Sequence, residues 1–137
     1  MIRFEGVRQE NVGMYWPHVV GMIQRAIKDA GHCWTLDDVA QRLDAEMMQL
    51  WCIWDGRTMI GCLVTETYQT ARGFTCGLPI VYCSDMEHAM PVVLETIEAW
   101  ARSLGCVRLQ GEGRRGWERA LRSSGWKTIT TQVEKVL

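Results

Sequence analysis

The stretch from Val92 to Trp126, VVLETIEAWARSLGCVRLQGEGRRGWERALRSSGW, constrains the chain most. Val93, Ile97, Trp100, Ala101 and Leu104 recur at helical spacing, which gives one helix an apolar face. Gly105 stands where such a helix turns left-handed and stops. Cys106 to Gln110 then alternates as a strand does. Gly111 to Gly116 is a loop rich in glycine and arginine, and Trp117, Ala120 and Leu121 share one face of a second helix that ends at Gly125. Helix, strand and helix at this spacing predict an α/β fold rather than a bundle.

The rest of the chain supplies partners for that unit. Residues 2–7 alternate as an opening strand. Trp16, Val19, Val20, Ile23, Ala26, Ile27 and Ala30 mark a helix from Tyr15, with Pro17 in its first turn and Gly31 at its end. Thr35 with Asp38 three residues on forms a capping-box pattern. It opens a helix carrying Leu36, Val39, Ala40, Leu43 and Met47 to about Gln49. Residues 50–54 are a strand, Asp55-Gly56 is a hairpin signal, and the return strand runs from Thr58 to about Tyr68. A looser turn over 69–73 leads to a strand from Phe74 to Cys83, in which Pro79 predicts a bulge. Ser84 with Glu87 repeats the capping-box pattern, and Pro91 marks the first turn of the next helix. Trp126 to Leu137, rich in Thr, Val and Ile, reads as strand, bent once. The expected order is β-α-α-β-β-β-α-β-α-β, in one domain over residues 1–137.

A chain of 137 residues with 47% apolar composition can bury one core. Its formal net charge of -1 argues against bulk attraction to nucleic acid or an anionic membrane. No stretch approaches the ~20 apolar residues of a membrane span. The opening Met1-Ile2-Arg3-Phe4-Glu5 has no apolar signal core, so a cytoplasmic location is expected. The six cysteines (33, 52, 62, 76, 83 and 106) show no C-x-x-C pair. Five lie in or beside apolar runs, where a reduced thiol behaves as a small hydrophobe. His32-Cys33 has no second pair to complete a metal site, so no metal is expected.

The element order is that of the GCN5-related N-acetyltransferase (GNAT) superfamily. Glu98-Ala99-Trp100-Ala101-Arg102, Gly105-Cys106, Gly113-Arg114-Arg115-Gly116-Trp117 with Arg119 and Leu121, and Gly125-Trp126 resemble short GNAT-like proteins of phages and prophages. Trp51, Asp55-Gly56 and Thr65 fit the same group. The resemblance spans the chain and implies a GNAT-like α/β domain. That domain has a mixed, mostly antiparallel sheet of six to seven strands with helices on both faces. It also implies acetyl-CoA as acyl donor. In the superfamily a glycine-rich turn after the fourth strand holds the donor's pyrophosphate on backbone amides at a helix start, where the dipole favours an anion. Here that stretch is Val81 to Ala89, which lacks glycine and carries Asp85 and Glu87. The tyrosine that many members place four residues before the glycine after the last helix is Leu121 here. No glutamate lies in the Phe74–Cys83 strand.

The residues left to carry acyl transfer are Glu66 and Tyr68 on the third strand and Tyr82 at the end of the fourth. Glu66 would accept an amine proton through water, and Tyr82 would return one to sulfur. Cys83, Ser84, Arg114 and Arg115 are the candidate donor-binding residues. The two arginines would meet phosphate by forked hydrogen bonds. Arg115, Arg119 and Arg122 also read as a solvated helix face. Seven tryptophans are many for this length; Trp51, Trp100, Trp117 and Trp126 stand at core phases, and Trp16, Trp34 and Trp54 near element ends. Exposed tryptophan suits a protein contact surface. Two functions stay open: an acetyl-CoA-dependent N-acetyltransferase with an altered pyrophosphate loop, or a catalytically silent phage protein. The second would be a virion or assembly component, or a binder of a host protein or of itself.

Overall fold

The computed structural model describes residues 1–30, 34–113 and 116–137. Its sheet has five strands in sequence order: β1 (Ile2–Gly6), β2 (Gln49–Asp55), β3 (Thr58–Thr70), β4 (Gly73–Cys83) and β5 (Arg108–Gly111). The first three pairings are antiparallel and β4 with β5 is parallel. The helices are α1 (Val12–Ala30), α2 (Leu36–Asp44), α3 (Met86–Ser103) and α4 (Gly116–Arg122), with a 3-10 turn at Gln9–Asn11.

Strand alternation sends the two faces of the sheet into separate cores. Leu50, Cys52, Cys62, Val64 and Ile80 pack under α1 and α2 against Val19, Ile23, Val39 and Leu43. Phe4, Trp51, Ile53, Leu63 and Leu78 pack under α3 against Ala89, Val93 and Ile97. Trp51 anchors the second core. It stacks on Phe4 with centroids 5.1 Å apart, meets Trp100 edge-on at 5.0 Å, and donates its indole N–H to Thr65 Oγ1 at 3.0 Å. Thr65 Oγ1 donates in turn to Gln49 Oε1, so the indole N–H and the threonine hydroxyl both have partners. Of the seven tryptophans only Trp51 is fully buried; the other six are half-buried.

Several local expectations hold for physical reasons. Thr35 and Asp38 exchange both bonds of a capping box. At the β2–β3 hairpin Asp55 ends the strand and Gly56 carries a φ of 61°, the glycine-first form of a two-residue turn. Gly105, at φ 87°, ends α3: Cys106 N–H bonds Ala101 O, Gly105 N–H bonds Arg102 O, and Cys106 packs on Ala101.

Other expectations are corrected. The sheet has five strands among the described residues, not six or seven. Residues 126–137 form none of them: only Trp126 is half-buried, and 127–137 are exposed. Strand propensity without a neighbouring strand gives no ladder. α2 stops at Asp44, because Glu46 turns left-handed (φ 59°) and frees Met48 for the core. Pro17 and Pro91 sit inside α1 and α3 rather than in their first turns, since Val12 and Met86 begin those helices. Asp85, not Ser84, caps α3.

Candidate functional site

The site follows from what happens along β4. Thr75 to Leu78 pair with β5 on one side while residues 73–77 pair with β3 on the other. Val64 then faces Ile80 and Glu66 faces Gly77, so β4 carries one more residue than β3 across this step. The extra residue falls at Leu78-Pro79, where proline has no ladder donor to lose. The bulge resets alternation: Leu78 points to the α3 core, whereas Ile80 and Tyr82 point to the α1 core. Beyond Leu78, β4 continues to Cys83 with β3 alone as its strand partner among the described residues.

The strands part around a cavity of about 830 Å³. Pro79, Val81, Tyr82 and Cys83 form its β4 wall, and Met86, Glu87 and Met90 its α3 wall. Arg25 and Asp29 of α1 and Trp117 and Ala120 of α4 close the other sides. Its size and its partly apolar walls suit an elongated organic ligand. Gly61 allows β4 to end where it does. A Cβ there would meet the Tyr82 carbonyl oxygen and, at 2.8 Å, the Cys83 Cα, so any larger residue pushes the cavity wall.

At one end of the cavity stands the start of α3. The Ser84 amide is held by Ile60 O at 2.9 Å, and the Ser84 hydroxyl meets the same oxygen at 3.3 Å. The Asp85 amide is directed at Cys83 Sγ, and Asp85 Oδ1 accepts from the His88 amide at 3.4 Å. The first intrahelical bond is Ala89 N–H to Asp85 O at 3.1 Å. The amides of Met86 and Glu87 therefore precede the helical ladder, and both residues line the cavity. The charged residues lining the cavity among those described are Arg25, Asp29, Glu87 and Glu112, and Arg25 is already bonded to Asp29 at 3.0 Å.

Of the sequence-derived site residues, Tyr82 and Cys83 meet at the cavity wall. Ser84 is exposed beside it and engaged with Ile60. Glu66 and Tyr68 lie outside the lining, over Gly77 on the α2 side, where β4 and β5 are still paired. Tyr68 donates to Gln110 Oε1 at 3.0 Å, and a Cβ on Gly77 would lie 2.9 Å from its ring. Burial pushes the Glu66 carboxyl above its ordinary range; Arg42 pulls it back and Glu112 adds to the rise. Burial also raises Tyr68, helped by Glu66 and Glu112. Glu112 links the two regions, since it lines the cavity as well. Arg114, Arg115, His32 and Cys33 lie outside the described residues.

The described cysteines are free thiols, and burial raises them all: Cys52 to about 11 and Cys76 to about 12. Cys83 is raised by burial and pulled back by the Asp85 amide. Among the described residues no group of His, Cys, Asp and Glu is placed to hold a metal, and no helix is long and apolar enough to cross a membrane. Sequence reasoning missed Arg25, Asp29, Met86, Met90 and Trp117. Met86 and Met90, four apart at a helix start below a bulged strand, were the one available signal; Arg25 and Asp29 come to the cavity only through tertiary packing.

No protein-family model matches the sequence, and no curated protein matches it. Solved structures do. A predicted acetyltransferase with acetyl-CoA from Clostridium acetobutylicum superposes with a TM-score of 0.71 at 10% identity, covering 99% of this chain and 96% of that one. An aminoglycoside acetyltransferase from an uncultured soil metagenomic sample gives 0.73 at 8% identity, over 100% and 98%. A ribosomal-protein-alanine N-acetyltransferase from Brucella melitensis biovar Abortus 2308 gives 0.67 at 10% identity, over 100% and 99%. At these identities the likeness establishes architecture, and the chain has the GNAT-like fold of these acetyltransferases.

Proposed function

We propose that the chain is an acetyl-CoA-dependent N-acetyltransferase whose donor lies in the cavity between β4 and α4. One observation carries this reading: β4 parts from β5 after Leu78 and leaves residues 79–83 along an open cavity that ends at the first turn of α3. When bound, acetyl-CoA supplies an acetyl group activated as a thioester. The residues fit its two ends unequally. Val81, Met86, Met90 and Trp117 suit the pantetheine arm, and the unladdered side of β4 offers it backbone hydrogen bonds. The diphosphate end finds the Met86 and Glu87 amides and the helix dipole, set against the carboxylates of Asp85 and Glu87. Arg114 and Arg115, flanked by the lining residues Gly113 and Gly116, are the proposed phosphate partners.

Within this reading Tyr82 holds a phenolic proton at the cavity wall for return to the leaving sulfur. Glu66 receives the proton lost by the acceptor amine through water, and Tyr68, its phenol protonated and bonded to Gln110, stands beside it. The raised Glu66 carboxyl makes it a better base than an ordinary carboxylate once ionised, so the acid limb of a pH–rate profile moves upward. Cys83 contributes wall, and Ser84 fixes the α3 entry. Calorimetric titration with acetyl-CoA tests the proposal: micromolar binding with acetyl transfer to an amine supports it, and no heat or thermal stabilisation at millimolar donor defeats it. The second reading, a catalytically silent chain of phage type that binds a virion or host protein, draws on Asp85 and Glu87 at the turn where a diphosphate would sit.

A further inference from the structure

Two cysteines stand opposite each other inside the sheet: Cys52 of β2 is the register partner of Cys62 of β3. The phase of the ladder at this point is fixed from both sides. Val7 N–H bonds Leu50 O, so Leu50 and, two residues on, Cys52 direct their backbone groups toward β1. Ser84 N–H bonds Ile60 O, so Ile60 and Cys62 direct theirs toward β4. Cys52 and Cys62 therefore form a non-hydrogen-bonded pair, the kind with Cα atoms about 4.5 Å apart and side chains closest together. A disulfide requires Cα atoms about 4.4–6.8 Å apart. Both side chains enter the same core under α1, beside Val64 and Ile80, and both are free thiols.

A buried thiol is ordinarily inert because no reagent reaches it. Cys52 differs. It is only 1% exposed, yet it lines a second cavity, of about 180 Å³, together with Glu5, Arg8, Asn11, Tyr15 and Trp54. Cys62 is fully buried and does not line it, so a reagent in this cavity meets Cys52 first. The volume admits a few small polar molecules, such as water or hydrogen peroxide, and excludes bulky disulfides. Burial and Glu5 raise the Cys52 thiol to about 11, which keeps its thiolate scarce at neutral pH and the reaction slow.

We propose that Cys52 and Cys62 are an oxidation site, joined by peroxide into a disulfide that ties β2 to β3, with Cys52 attacked first. The Cys52 sulfur takes one peroxide oxygen as the O–O bond breaks, giving a sulfenic acid and water. The Cys62 sulfur then attacks that sulfur; the S–S bond forms, the S–O bond breaks, and the hydroxyl leaves with the Cys62 proton as a second water. The thiols are oxidised and the peroxide is reduced. This is independent of acyl transfer, since neither thiol lines the cavity beside β4. The native chain is treated with hydrogen peroxide, denatured, alkylated and digested without reductant. Peptide mapping should find Cys52 joined to Cys62, and dithiothreitol should release both. In Cys62→Ala the same treatment should stop at a Cys52 sulfenic acid that a cyclic 1,3-dione captures, and in Cys52→Ala the Cys62 thiol should survive. Where a variant folds poorly, the map of the unmodified chain decides alone. Cys52 and Cys62 both alkylated after Cys83 has been oxidised would overturn the proposal, and so would a link from either to any other cysteine.

Discussion

The two halves of β4 have the same neighbour on one side and different ones on the other. From Thr75 to Leu78 the strand lies between β3 and β5, and Thr75, Cys76 and Leu78 are buried. From Val81 to Cys83 it has β3 alone among the described residues, its side chains are half-buried, and a cavity lies where a second neighbour would run. The difference comes from one inserted residue at Leu78-Pro79 and the shortness of β5. It shows how a sheet opens a cavity without losing its core: the strand stays anchored by one ladder and surrenders the other.

Substitutions and titrations along β4 would sharpen or break that contrast. Leu78→Ala removes a buried side chain from the closed half and should cost about 2–5 kcal/mol in urea denaturation. Val81→Ala, in the open half, should cost well under that, and equal losses would mean the halves are packed alike.

The thiols divide the same way. Folding holds Cys76 protonated by raising it to about 12, so its contribution to stability is complete below the unfolded thiol range. That contribution is lost as pH climbs from about 9 toward 12, at about 1.4 kcal/mol for each pH unit. Cys76→Ala should flatten that alkaline limb. Iodoacetamide at pH 8 should label Cys83 well before Cys76; equal rates would deny the contrast.

Tyr82→Phe should leave stability within about 0.5 kcal/mol and lower turnover by about 100-fold. A variant with unchanged turnover would remove Tyr82 from the chemistry. The smallest effect concerns α3. Glu87→Gln should cost about 0.5 kcal/mol of stability yet tighten acetyl-CoA binding about fivefold, since it removes an anion from the end proposed to take phosphate. Weaker binding would place the diphosphate elsewhere.

Much of this fold was legible in the sequence because its signals are local. The Thr35/Asp38 box, the Gly56 hairpin, the Gly105 stop and the Pro79 bulge each follow from backbone chemistry within a few residues. The sixth strand was misread because Ile129, Thr131 and Val133 carry strand propensity, whereas a strand exists only where a neighbour accepts its hydrogen bonds. The same limit applied at the α3 start. Ser84 and Glu87 have the spacing of a cap, but Ile60 O takes the Ser84 amide and hands the capping role to Asp85. Tyr82 and Cys83 could be placed at a strand end from sequence. Their joining by Trp117, Arg25 and Asp29 around one cavity depends on contacts between distant elements.

Amide hydrogen exchange along β4, with and without saturating acetyl-CoA, reaches the central claim most directly. The account predicts slowed exchange across residues 79–87, with 75–77 unchanged because their ladders are already made on both sides. Protection confined to 75–77, or none anywhere on β4 and the start of α3, would contradict it.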